Sequence, residues 1–180
     1  MKKRVAVLFG GPSSESEISR RSADNVTAAL LRKGYDAKMV ELDQSVMNSL
    51  EQGAFEVVYL ITHGNPGEDG SIQGLLELRG LPYTYSGILS SALALDKRMT
   101  KIVLRAAGVP VLEDTLVEQE DIENKLEIIR KLPFPVILKP NKEGSSVGIT
   151  VLQSFSEVDT PLRKSVERFG QMLVEPFIIG

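Results

Sequence analysis

Lys139-Pro140-Asn141-Lys142-Glu143-Gly144-Ser145-Ser146-Val147-Gly148 lies between two apolar runs, Phe134 to Leu138 and Ile149 to Leu152. The pattern reads as strand, Gly/Ser loop, strand. Pro140 biases Lys139 toward extended backbone, so the lysine leaves the strand end in a defined direction. Gly144 and Gly148 allow positive φ and leave no Cβ in the way of a ligand. Ser145 and Ser146 add hydroxyls to a row of backbone N–H groups, which suits an oxyanion such as phosphate. Lys139 supplies a compact cation to neutralise it. The competing reading is a β-hairpin whose glycines only make the turn.

The chain around this stretch has 180 residues, room for one ordinary domain or two small ones. Apolar residues make up 42% and charged residues 25%, the profile of a water-soluble globular protein. A net charge of −3 gives no reason to expect nucleic acid or an anionic membrane as partner. With no cysteine, a disulfide framework and a thiolate metal site are both excluded. The apolar run Val5 to Phe9 stops at Gly10-Gly11-Pro12, too short for a signal sequence, and no segment approaches a membrane span. Cytoplasmic residence is expected.

Upstream, short strands alternate with helical patterns. Arg4 to Phe9 reads as a buried strand, Gly10 to Ser14 as a turn, and Ser16 to Lys33 as a helix stopped by Gly34. Ala37 to Leu42 is a second strand and Val46 to Gln52 a short helix. Val57 to Ile61 is a continuous apolar strand of the kind covered on both faces. This order implies a parallel sheet with crossover helices. A helix marked by Ile72, Leu75 and Leu76 closes at Gly80, and Pro82-Tyr83-Thr84 returns toward the sheet. Two further helices, Ser86 to Leu95 and Arg98 to Ala107, end at Gly108-Val109-Pro110. Short strands follow at Val111 to Leu112 and Thr115 to Val117. After them come an amphipathic helix through Ile122, Leu126, Ile129 and Leu132, a second through Val158, Leu162, Val166 and Phe169, and a strand from Met172. The expected division is a parallel α/β domain over 1–96 and a smaller α+β unit over 97–180.

Several positions could carry chemistry. Glu15 stands between the first strand and first helix, at the carboxyl edge where open α/β sheets bind ligands. The helix dipole favours an ionised carboxylate there, suited to an amino-acid ammonium; simple helix capping by Ser13 to Glu17 is the alternative. Gly10-Gly11-Pro12-Ser13-Ser14 is not G-x-G-x-x-G, which weakens a dinucleotide reading. His63, the one histidine, follows the third strand at the same sheet edge. No second histidine or thiolate completes a metal set with it. Asp69 or Ser71 caps the next helix. Lys97 lies at the expected domain junction, where small-molecule sites concentrate. Glu175 places one carboxylate in an apolar patch and could meet a nucleotide or be a sheet-edge charge.

Read together, these residues resemble the D-alanine–D-alanine ligases of the ATP-grasp superfamily, over nearly the whole chain. The resemblance rests on Leu8-Phe9-Gly10-Gly11 with Ser14-Glu15 and Ser19, and on His63-Gly64 to Gly67-Glu68-Asp69-Gly70. It continues through Gln73-Gly74-Leu75-Leu76-Glu77, Pro82-Tyr83-Thr84, Ser91 to Ala94 with Asp96-Lys97, and Lys139-Pro140 with Glu143 to Gly148. It implies a Rossmann-like pre-ATP-grasp domain followed by an ATP-grasp lid subdomain, with the second ATP-grasp half missing. It also implies that ATP phosphorylates one D-alanine carboxylate and a second D-alanine's amine attacks the acyl phosphate, forming a peptidoglycan precursor.

Carried over by motif, Glu15 orients the first D-alanine's ammonium and Ser145 joins Glu15 in a hydrogen-bond network. His63 lines the first D-alanine site. Lys97 and Lys139 hold ATP phosphates, Ser146 closes over the γ-phosphate, and Glu175, Phe177 and Ile178 meet adenine and ribose. Family members dimerise through the first domain and continue into a region with Mg²⁺ carboxylates, so those ligands are expected beyond Gly180 and none within this chain. On that ground the 180 residues alone are expected to lack turnover. The alternatives are a non-catalytic amino-acid- or nucleotide-binding fragment and a D-alanine–D-lactate-type ligase. Tyr85 and Arg79 depart from the family's smaller or apolar residues.

Overall fold

A computed structural model describes residues 3–13 and 15–179. Ser14, part of the expected Gly10–Ser14 turn, lies outside the described residues. The chain divides into two compact units, Met1–Ala94 and Leu95–Gly180. The division falls just ahead of Asp96, because Asp96 caps a helix of the second unit by accepting from Met99 N at 2.9 Å.

In the first unit β1 (Arg4–Phe9), α1 (Ser16–Arg32), β2 (Asp36–Glu41), α2 (Val46–Gly53), β3 (Val57–Leu60) and α3 (Ser71–Leu78) follow in order. The sheet is parallel with order β2-β1-β3. Alternation along β1 divides its side chains between two cores. Ala6 and Leu8 join Val40, Leu50, Val58, Leu60, Ile72 and Leu76 on one face. Val5, Val7 and Phe9 join Ala23 and Ala37 on the other. Helices therefore cover both faces, as a parallel sheet requires. Pro82 to Thr84 extends the sheet beside β3: Val58 N donates to Pro82 O at 2.8 Å and Thr84 N to Val58 O at 3.0 Å. The next helix, α4 (Ile88–Leu95), starts later than the sequence pattern suggests.

The second unit holds α5 (Lys97–Ala106), β4 (Thr115–Val117), α6 (Ile122–Ile129), β5 (Val136–Pro140), β6 (Thr150–Leu152), α7 (Asp159–Phe169) and β7 (Met172–Pro176). Val111 to Leu112 forms no strand; Leu112 is exposed and lacks the buried face that would hold it in a sheet. The four strands are antiparallel in the order β4-β7-β5-β6. Val136, Leu138, Met172 and Val174 face one core together with Ile122, Ile129, Leu162 and Val166 from α6 and α7. The opposite face takes the alternate residues, with Ile137 registered against Glu175 and Lys139 against Leu173. Among the described residues no helix is long and apolar enough to cross a membrane.

Candidate functional site

At the carboxyl edge of the parallel sheet, the loops after β1 and β3 are held together by one side chain. Ser19 is fully buried in α1. Its hydroxyl accepts from Gly10 N at 2.8 Å and donates to Ile61 O at 2.7 Å. A Cβ on Gly64 would stand 3.1 Å from Ser13 Cβ, so the two loops run in close approach. In the order β2-β1-β3 this edge is where the sheet reverses direction of growth, the position at which open α/β sheets take ligands.

Glu15 sits there at the start of α1, 7% exposed, with its carbonyl accepting from Ser19 N at 3.0 Å. His63 Nδ1 lies 3.6 Å from Glu68 Oε1, and Glu68 Oε2 accepts from Gly64 N at 2.8 Å. The loop after His63 is braced from inside by fully buried Gln73, which donates to Gly67 O at 3.0 Å. Gly67 is obligatory in that packing, since a Cβ would meet Thr62 at 2.5 Å. Asp69 takes the Ser71 N–H at 2.9 Å, the helix-start role expected of it, while Gly70 occupies the cap position itself. Burial, and then the Glu68 carboxylate, pushes the Tyr85 phenol up. Arg79, the other departure, forms a surface ion pair with Glu51.

In the second unit the Gly/Ser stretch is a hairpin loop, because β5 and β6 pair. Lys97 and Lys139 line one cavity of about 130 Å³ with Glu143, Gly144, Ser145 and Ser146. Positive φ falls on Ser145 (45°), Ser146 (63°) and Gly148 (72°). Two serines thus carry left-handed backbone that the sequence assigned to Gly144. Non-glycine residues hold such geometry at a cost of about 1–3 kcal/mol each, and they concentrate at ligand sites. Gly148 answers to packing rather than to a ligand, since a Cβ there would stand 2.6 Å from the Phe169 ring and 2.7 Å from Pro140.

Asn141, which sequence reasoning passed over, fixes the root of the loop. It is 2% exposed; its Oδ1 accepts from Arg98 N at 2.9 Å, and its Nδ2 donates to Asp96 Oδ1 at 3.1 Å and Gln171 Oε1 at 2.9 Å. Lys97 N donates to Asn141 O at 3.1 Å, and Lys97 Nζ reaches Glu143 O. Burial holds the Lys97 ammonium below its ordinary value, with the Lys139 charge acting the same way and Glu143 and Asp96 acting against it.

Beneath the loop lies a buried ion cluster that also escaped the sequence reading. Glu175 takes Lys139 Nζ on Oε2 at 2.7 Å and Lys101 Nζ on Oε1. Burial alone would raise the Glu175 carboxyl, but the two lysine hydrogen bonds outweigh it and hold it below the ordinary carboxylate value. Lys101 also lies 3.1 Å from Asp114 Oδ1, and Arg98 pairs with Asp114 Oδ2. Helical spacing could have exposed part of this, since Lys97, Lys101 and Arg105 recur every four residues on α5. Their carboxylate partners are too distant in sequence to be read from spacing. Phe177 and Ile178, just past β7, are exposed.

Comparison with known proteins agrees with this architecture. The parallel α/β unit followed by an antiparallel unit with a lysine-flanked Gly/Ser loop is the ATP-grasp arrangement expected. Two family models match: D-ala D-ala ligase N-terminus over residues 43–86 and D-ala D-ala ligase C-terminus over residues 103–180. A D-alanine–D-alanine ligase of Carboxydothermus hydrogenoformans is 40% identical over 98% of this chain and 58% of its own length. One from Zymomonas mobilis is 42% identical over 99% of this chain and 56% of its own length. The crystal structure of the Bacillus anthracis ligase superposes with a TM-score of 0.88 at 32% identity, covering 99% of this chain and 58% of that one. A structure of the Bacillus anthracis ligase complexed with ATP superposes at 0.82 with 28% identity, covering 99% of this chain and 60% of that one. The chain belongs to the D-alanine–D-alanine ligase family. It spans less than two thirds of the length of these relatives.

Proposed function

We propose that this chain serves an ATP-dependent ligase that joins two D-alanines through an acyl phosphate, in the cytoplasm, for peptidoglycan precursor synthesis. The observation that carries the reading is the gathering of Lys97 and Lys139 around the Gly/Ser loop. The γ-phosphoryl group passes from ATP to a carboxylate oxygen of the first D-alanine, releasing ADP. The second D-alanine's amine then attacks the acyl carbon and phosphate leaves. Such transfers depend on positioning and charge neutralisation, which two ammoniums and a row of loop amides supply. Lys97, Lys139 and Ser146 hold the phosphates, with Ser145 beside them. Phe177 and Ile178 offer apolar surface to the base and Glu175 a polar edge. In the first unit Glu15 receives the ammonium of the first D-alanine, and His63 lines its site.

Among the described residues no three His, Asp or Glu side chains group closely enough to hold a metal ion. The buried carboxylates near the loop, Asp114 and Glu175, are already engaged by arginine and lysine.

Titration calorimetry of the 180-residue chain with ATP tests the reading. Saturable binding is expected, weakened about tenfold or more by Lys139→Ala, a loss of about 1.4 kcal/mol or more. A wild-type chain that takes no ATP would overturn it. Phosphate release from ATP and D-alanine by these residues alone is expected to stay at background, and steady turnover would refute that expectation.

A further inference from the structure

We propose that Lys101 is a positioning residue for Lys139: it keeps Glu175 neutralised from beneath, so that Lys139 is free to exchange Glu175 for an anionic ligand. The inference rests on the ATP reading of the loop.

Lys139 Nζ is 2.7 Å from Glu175 Oε2, yet its side chain remains 28% exposed and lines the loop cavity. It therefore has two destinations, a buried carboxylate and the cavity. Glu175 itself is 5% exposed, and stripping a carboxylate so buried of all ion partners would leave an uncompensated charge, which is strongly unfavourable. The second partner solves this. Lys101 is 8% exposed, lines no part of the loop cavity, and holds the other oxygen of Glu175.

Lys101 is fixed in turn by Asp114, whose side chain is fully buried and which Arg98 also meets. In this cluster Arg98 and Lys101 balance Asp114 and Glu175, and Arg105, 3.8 Å from Asp114 Oδ1, is matched by Glu113 at 3.6 Å, so the charge of Lys139 is the surplus. One α-helix arranges the division of labour. Lys97 and Lys101 stand one turn apart on α5, the first reaching the loop and the second the carboxylate beneath it. Without Lys101, Glu175 would retain Lys139 as its one ion-pair partner among the described residues.

The test uses inorganic triphosphate, which has no base or sugar, titrated calorimetrically into the 180-residue chain. Lys101→Met is expected to weaken triphosphate binding about tenfold, and Glu175→Gln to strengthen it severalfold by releasing Lys139. The double variant K101M/E175Q is expected to bind about as well as E175Q, because a neutral amide needs no cation. A merely structural lysine gives no such rescue. Unchanged binding in K101M, or a double variant as weak as K101M, overturns the proposal. Should K101M fail to fold, E175Q decides: binding equal to or weaker than wild type overturns it. Wild-type protein with no triphosphate affinity sinks the ATP reading as well, whereas wild-type binding indifferent to K101M sinks only the role of Lys101.

Discussion

Removing the Asn141 side chain strips partners from the Arg98 N–H, Asp96 and Gln171 at once, all at the root of the Gly/Ser loop. Asn141→Ala is expected to destabilise the fold by about 2–3 kcal/mol, read as a lower denaturant midpoint with an unchanged slope. Gly148→Ala places a methyl 2.6 Å from the Phe169 ring at a φ of 72°, and about 1–3 kcal/mol should be lost by the same measurement. Acid stability should report on Glu175. Its folded carboxyl titrates below the ordinary 4.5, so the folded state binds its proton less readily than the unfolded chain. Its contribution is complete above that ordinary value and is lost as pH falls through the lowered folded one. Glu175→Gln should flatten the acid limb of a melting-temperature profile; an unaltered limb would refute the assignment. Lys139, Ser145 and Ser146 could be picked out as candidates because glycine, serine and lysine cluster in sequence. Asn141 was passed over inside the same stretch, since what distinguishes it is burial among groups from two distant segments, Asp96 to Arg98 and Gln171.

At the scale of elements, Ser19 is the tie between α1 and the ends of two strands. Ser19→Ala should cost about 1–3 kcal/mol, because Gly10 N–H and Ile61 C=O lose a buried partner. It should also weaken D-alanine binding in calorimetry, since the Glu15 and His63 loops are set by that tie. Periodicity revealed α1, α6 and α7 and the apolar strands, since amphipathic spacing is local information. The supposed strand at Val111 to Leu112 fails for the complementary reason: a short apolar run pairs only if a partner strand presents an edge. The ion cluster under the loop belongs to this scale also. α5 contributes Lys97, Lys101 and Arg105 in a row, but Asp114 and Glu175 arrive from elsewhere in the chain.

For the molecule as a whole, ligand protection should sort by unit. Amide hydrogen exchange is expected to slow with ATP across residues 139–149 and the start of α5. With D-alanine it should slow across residues 10–19 and 61–73. ATP protection confined to the first unit would contradict the placement of the phosphate groups.

Motif content alone was enough to assign the family, the parallel α/β half and the α+β half, and to single out candidate site residues, because those features are written in neighbouring positions. Folding alone brought Asn141, Lys101 and Asp114 into play and put left-handed backbone on Ser145 and Ser146. Their roles come from desolvation and from partners up to 74 residues away, and neither exists until the chain has closed on itself.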